Sequence, residues 1–194
     1  MTAVSIDALI SSARKGQLVS FPTDTVPALA ARPDAAELIF LAKQRRRDKP
    51  LILMGATAED LWPYVTGTPE EFQVWQEVAS KHWPGALTLV LPASSAVPRE
   101  MNPLDPTTLG IRVPDLAIAR QILAQTQPLA TTSANRSGQP PLRSMADIEA
   151  QFPEVLTLQV DESLPRPNAS GVPSTVAKWT GNRWEILRQG AIKL

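Results

Sequence analysis

The stretch KQRRRDKP at residues 43–50 sets Lys43, Arg45, Arg46, Arg47 and Lys49 within seven positions, offset only by Asp48. So dense a run suits a solvated helix end, a nucleic-acid patch, or one wall of a pocket for a polyphosphate. Cations at the negative end of a helix dipole gain roughly 0.3–1 kcal/mol each. One or two suffice for that, and five repel one another. Taken alone, the segment divides evenly between an anion site and a solvated face. Four further polar segments fall where strands are predicted to end: FPTDTVPALA with Thr23, Asp24 and Thr25, TTSANRSG with Ser133 and Asn135, SGVPSTV with Ser174, and ILRQG with Arg188. Each by itself reads as a turn whose short polar side chains bond their own backbone.

Acid–base or covalent chemistry has few candidates. The chain has no cysteine, so a thiolate nucleophile, a disulfide and a Cys-based metal site are all excluded. The one histidine, His82, stands beside Trp83 at a predicted helix end, a packing or surface position. No P-loop, GxGxxG fingerprint, HExxH or nucleophile-elbow serine is present.

Elements must hold these segments in place. Ser5 caps a helix with Ile6, Leu9, Ile10 and Ala13 on one face, ended by Gly16. LVSF forms a strand that Pro22 turns into a loop. Asp34 with Glu37 three residues on predicts a capping box, with Leu38, Leu41 and Ala42 as the buried stripe of the following helix. LILM at 51–54 reads as a strand buried on both faces. Thr68, Pro69 and Glu71 start another helix. LTLVLP, LGIRVP and PLATTS are strands, and DLAIARQILAQ is a helix capped by Asp115. SMADIEAQF is a helix and VLTLQV a strand, and STVAKW and RWEILR flank the turn TGN as a hairpin. The alternation predicts an α/β fold in one domain over residues 1–194, with a mixed sheet.

Hydrophobic residues form 43% of the 194, enough for a sizeable core, and 19 basic residues balance 19 acidic ones. A protein that coats nucleic acid is normally basic overall, so any anion site here is local. Residues 1–17 lack the pattern of a signal peptide, and no apolar run approaches the roughly 18 residues of a spanning helix. A soluble, cytoplasmic protein with no membrane partner is expected. The five tryptophans, Trp62, Trp75, Trp83, Trp179 and Trp184, fall where core packing accounts for them.

In order along the chain, FPTDTVPALA, LAKQRRRDKPLIL, HWPGALTLVLP, LGIRVP, TTSANRSG, SGVPSTV and LRQGAI resemble the YrdC/TsaC family, the threonylcarbamoyl-AMP synthases, from about Gly16 to Ile192. The resemblance implies the short family form, without an added C-terminal domain. It implies an open, twisted mixed sheet with flanking helices around a positively charged cavity. The implied reaction joins L-threonine, bicarbonate and ATP into threonylcarbamoyl-adenylate, releasing pyrophosphate, with Mg²⁺ bridging the phosphates and its protein ligands unassigned. The product would pass to other proteins that modify tRNA.

Position by position, the resemblance implies Lys43 and Arg45 as the catalytic pair. It implies Arg45, Lys49, Thr108, Asn135, Arg143 and Arg188 as ATP contacts, and Thr25, Arg112, Ser133 and Ser174 as threonine contacts. A carbamate formed on threonine is already anionic, so such chemistry needs positioning and charge neutralisation rather than a side-chain nucleophile. Pro27 and Ala28 replace the family's usual tyrosine and glycine, Pro173 a frequent glutamate and Gln189 a common proline. Two other readings use the same residues: a positive concavity that binds tRNA or double-stranded RNA, and a paralogue that binds nucleotide without turnover.

Overall fold

A computed structural model describes residues 2–160 and 170–194. Among these, the strands are Ala3–Val4 (β1), Val19–Phe21 (β2), Ala28–Ala31 (β3), Ile52–Met54 (β4), Leu87–Pro92 (β5), Thr108–Arg112 (β6), Leu129–Ser133 (β7), Leu156–Leu158 (β8), Thr175–Trp179 (β9) and Trp184–Arg188 (β10). The α-helices are Ile6–Arg14 (α1), Glu37–Lys43 (α2), Pro69–His82 (α3), Ala117–Thr126 (α4) and Met145–Gln151 (α5). The strands form one sheet in the order β1-β8-β2-β3-β7-β4-β6-β5-β9-β10. Its pairing is mixed: β4 runs parallel to β6 and β5 to β9, while β3, β4 and β6 pair antiparallel with β7, β7 and β5.

Successive strand residues point to opposite faces, and this decides where core and cavity lie. Leu53, Leu87, Leu89, Leu91, Leu109, Ile111 and Ala177 are almost fully buried and share one core with Ile39 and Phe40 of α2, Trp75 of α3 and Ile148 of α5. Leu9 and Ile10 of α1 and Ile122 and Leu123 of α4 cover the other face at the β1–β3 end, over Val19, Phe21, Ala30 and Leu158. Beyond that cover, Ile52, Thr88, Val90, Gly110, Arg112, Val176 and Lys178 line a cavity instead. LILM is therefore a strand whose two sides meet different surroundings. Leu53 enters the core, while Ile52 and Met54 floor the cavity.

The predicted start of α3 is present in full: the Thr68 side chain accepts from the Glu71 N–H and the Glu71 carboxylate accepts from the Thr68 N–H. Ser5 and Ser144 cap α1 and α5. Two other caps are corrected. Asp34 lies in a 3₁₀ turn, Pro33–Ala35, and binds Arg32, so α2 begins at Glu37 without a side-chain cap. α4 begins at Ala117 with Leu116, not Asp115, at the cap position. β1 and β3 were not predicted; β3 lies inside the segment read as a loop after Pro22.

The buried stripe of α2 is also corrected: Ile39, Phe40, Ala42 and Lys43 face inward, while Leu38 and Leu41 are exposed. LIFLA is apolar all the way round, so its spacing leaves the phase open. Lys43, drawn into the interior, fixes it. Ile39→Ala is accordingly expected to cost about 2–5 kcal/mol. Leu41→Ala, at a side chain 65% exposed, should stay within about 0.5 kcal/mol. Urea unfolding of the two variants checks this, and the opposite order would reinstate the predicted stripe.

Candidate active site

α2 ends in a left-handed residue, Gln44, at φ 51°, which sends its two neighbours apart. Lys43 turns inward, 1% exposed, and its ammonium donates to the Ser133 carbonyl and, at 3.2 Å, to Asn135 Oδ1. Arg45 turns to the cavity, where its Nε and Nη2 donate to the carbonyls of Lys49 and Pro50, each at 3.0 Å. The rest of the run is surface charge. Arg46 pairs with Asp48 at 2.6 Å, Arg47 pairs with Glu37 and lies over the Phe40 ring, and Lys49 is exposed.

The segment after β7 closes over the end of α2. Arg136 Nη1 donates to the Ala42 carbonyl at 2.7 Å and the Ser137 N–H to that of Lys43 at 3.2 Å, satisfying acceptors that a helix end leaves open. Asn135 is spent inside this segment. Its amide donates to the carbonyls of Arg136 and Gln139, and its oxygen accepts from Ser133 Oγ at 2.6 Å. Burial, then the nearby charges of Arg45 and Lys49, bring the Lys43 ammonium down to about 7.

Arg112 stands at the end of β6 with its guanidinium almost wholly buried. Its Nε donates to the Gly85 carbonyl at 3.0 Å, Nη1 to Thr25 Oγ1 at 2.9 Å, and Nη2 to Asp24 Oδ1 at 2.6 Å. Thr23 Oγ1 holds the same loop by donating to the Val26 carbonyl at 2.8 Å. Arg188, from β10, donates to the carbonyl and hydroxyl of Ser174 at 2.9 and 3.1 Å. Ser174 Oγ in turn lies 2.8 Å from Thr88 Oγ1. The register of β10 shifts between Ile186 and Arg188, so the consecutive residues Leu187 and Arg188 both reach the cavity.

The cavity measures about 460 Å³, within the range of small-molecule sites. Its wall unites Thr25, Arg45, Thr108, Arg112, Ser133, Ser174 and Arg188. The other predicted residues lie elsewhere. Lys43 and Asn135 sit behind Ser133, Lys49 is on the surface, and Arg143 borders a smaller cavity of about 160 Å³ that shares Thr25. Burial disfavours the charge of Arg45, Arg112 and Arg188; Arg188 adds to the effect at Arg45, and Arg112 to that at Arg188. Each guanidinium stays charged at neutral pH; Arg112 is already paired with Asp24, while Arg45 and Arg188, with no bonded carboxylate, are poised to gain from an anion.

Sequence reasoning missed Asp24 as the partner of Arg112, and missed Lys178, Asp105 and Leu104 in the wall. Lys178 had a signal: it shares a strand face with Val176. Asp24 had none, because its partner lies 88 residues away. Ala28 has no left-handed backbone and pairs with Ser133 in the sheet, its methyl lining the cavity. A glycine is thus not required there.

The Sua5/YciO/YrdC family model, described as "Telomere recombination", matches residues 11–190. A threonylcarbamoyl-AMP synthase of Pyrococcus abyssi is 38% identical over 186 residues, 93% of this chain and 52% of that protein. The synthase of Escherichia coli K12 is 33% identical over 190 residues, 96% of both. The crystal structure of P. abyssi Sua5 complexed with L-threonine superposes with a TM-score of 0.80 at 34% identity, covering 95% of this chain and 54% of that one. The chain thus spans about half the length of the archaeal relative and nearly all of the bacterial one. With the family model matched over most of its length, the chain belongs to the Sua5/YciO/YrdC family.

Proposed function

We propose that this chain is a threonylcarbamoyl-AMP synthase, a nucleotidyltransferase that consumes L-threonine, bicarbonate and ATP and releases pyrophosphate. The observation that carries the reading is one cavity lined by Arg112, Arg188 and Arg45 together with the hydroxyls of Thr25, Thr108, Ser133 and Ser174, over a floor that includes Ile52 and Met54. Arg112 offers its remaining N–H groups to the threonine carboxylate. Arg45 and Arg188 bind the phosphates, with Thr108 on the nucleotide side and Thr25, Ser133 and Ser174 on the threonine side. The amine of threonine, having lost its ammonium proton, forms a carbamate with the carbon of bicarbonate, and water leaves. A carbamate oxygen then attacks the α-phosphorus, and its bond to the pyrophosphate oxygen breaks. The arginines offset the charge that builds on the leaving group.

ATP enters as its Mg²⁺ complex in this reading. Among the described residues no cluster of three or more acidic or histidine side chains could hold a metal, so the phosphates of ATP would supply most of the ion's ligands. Lys43 acts through Ser133 and Asn135, positioning the wall from behind. The product passes to tRNA-modifying proteins in the cytoplasm. No helix of the described residues is long and apolar enough to cross a membrane.

Incubation with ATP, Mg²⁺ and bicarbonate should release pyrophosphate only when threonine is added. Arg45→Ala and Arg188→Ala should each lower kcat/KM for ATP by about 10–100-fold with the fold intact, roughly 1.4–2.7 kcal/mol of transition-state binding. Pyrophosphate release without threonine, or none from folded, ATP-bound protein, would sink the reading.

Lys43 generates a separate stability prediction. Its ordinary value is 10.5 and its folded value about 7, so between these the unfolded chain binds more protons than the folded one. Stability therefore rises with pH across that window. Below it both states carry the charge, and the cost of burying that charge is fully present. The gain from pH 6.5 to 9.5 should exceed that of Lys43→Met by an amount on the order of 2 kcal/mol, read as the difference between their urea midpoints at each pH. Equal gains would show that Lys43 titrates normally.

A further inference from the structure

Three arginines line the cavity, yet among the described residues only Arg112 is ion-paired: Arg188 meets the carbonyl and hydroxyl of Ser174, and Arg45 meets two carbonyls. Asp48 lies near Arg45, but its carboxylate is bonded to Arg46. Lys178 adds a further cation to the same wall, near enough to Asp105 to favour the charge of that carboxylate. The carboxylate that pairs with Arg112 belongs to Asp24, which is 4% exposed and is not itself part of the cavity lining.

We propose that Asp24 is a positioning and specificity-determining residue that makes the Arg112 end of the cavity a receptor for a single carboxylate and confines polyphosphate to Arg45, Arg188 and Lys178. The proposal deepens the synthase reading and rests on it. A guanidinium has five N–H groups, and those of Arg112 that bond Gly85, Thr25 and Asp24 account for three. One N–H remains on each terminal nitrogen, enough for the two oxygens of one carboxylate. The charge of the pair sums to about zero, so a highly charged phosphate chain gains little there. An amino acid, itself neutral overall, keeps its two directional hydrogen bonds. Arg188 and Arg45 spend their bonds on uncharged acceptors, and although Asp48 acts on Arg45 from a distance, neither charge is cancelled by a bonded carboxylate as that of Arg112 is.

The backbone supports the same assignment. The Ser170 N–H donates to the Asp24 carbonyl and the Gly171 N–H to the Thr25 carbonyl, each at 2.9 Å. Asp24 is thereby fixed on both sides, with its side chain on Arg112 and its main chain on the segment that leads to Pro173 and Ser174 in the wall. A carboxylate so held can set the direction of the arginine and not only its charge.

The test measures binding to the full chain by calorimetry, with L-threonine and inorganic pyrophosphate as probes. In the native protein, pyrophosphate should leave threonine affinity nearly unchanged. In Asp24→Asn, threonine should bind about 10-fold more weakly and pyrophosphate about 10-fold more tightly, now in competition with threonine. Asp24→Glu keeps the charge but displaces the carboxylate, so threonine should weaken while pyrophosphate remains non-competitive; it decides the matter if Asp24→Asn does not fold. A folded Asp24→Asn that loses threonine without admitting pyrophosphate overturns the proposal, as does one that binds both like the native protein. Competition by pyrophosphate in Asp24→Glu overturns it equally. Failure of the native protein to bind threonine removes the synthase reading and this proposal together, whereas native binding with an indifferent Asp24→Asn removes this proposal alone.

Discussion

The site depends on a charge held almost out of water. Moving a guanidinium into the interior costs several kcal/mol unless its N–H groups are met and its charge is offset. Arg112 meets that condition with three bonds to two chain segments: one to the turn before β5 and two to the first loop, of which one is to that loop's carboxylate. Those bonds fix where Gly85, Thr25 and Asp24 lie relative to β6. The polar end of the cavity thus owes its shape to the satisfaction of one side chain. Ser174 plays the matching part for Arg188, joining it to Thr88 on β5.

A cavity of this kind needs a sheet that is covered on one side and only partly on the other. α2, α3 and α5 pack against the fully covered face, where the odd-numbered residues of β5 and β6 are leucine and isoleucine. On the opposite face α1 and α4 reach only the β1–β3 end and its neighbours. The even-numbered residues beyond them are Thr88, Val90, Thr108, Gly110 and Arg112, a set too polar and too small to build a core. Gly110 shows the economy of space on that floor, since a Cβ there would approach Ile52 and Thr88 to 3.4 Å.

Much of this was legible in the chain because the signals were local. The capping box at Thr68, the serine cap at Ser5, most of the strands and the closing hairpin each announce themselves within a few residues. The motif segments marked Thr25, Arg45, Thr108, Arg112, Ser133, Ser174 and Arg188, which the fold brings to one wall. What failed depended on distance or on phase. The apolar run of α2 has no preferred face of its own, so its orientation is decided by what packs around it. β3 is the short run ALAA next to prolines, and it becomes a strand because β2 and β7 flank it. Asp24 looked like a turn residue, because nothing near it in sequence announces an arginine on β6.

The basic run shows how one conformational choice divides a cluster that composition treats as a unit. A helix that continued past Lys43 would keep the following cations on its own surface. Instead Gln44 takes the left-handed conformation that ends many helices, uncommon for a residue other than glycine or asparagine. Arg45 bonds back to the Phe40 carbonyl through its own N–H, and its side chain swings to the cavity. Lys43 keeps its helical direction and goes into the protein, where the Ser133 carbonyl and the Asn135 amide receive it. The two cations then differ in kind. Arg45, bonded to carbonyls in the wall, is a charge available to a ligand. Lys43, one layer deeper, is a charge whose burial has already moved its protonation toward neutrality and whose bonds hold the wall. Adjacent cations of a Lys-x-Arg pair reach these separate environments because the residue between them reverses the chain.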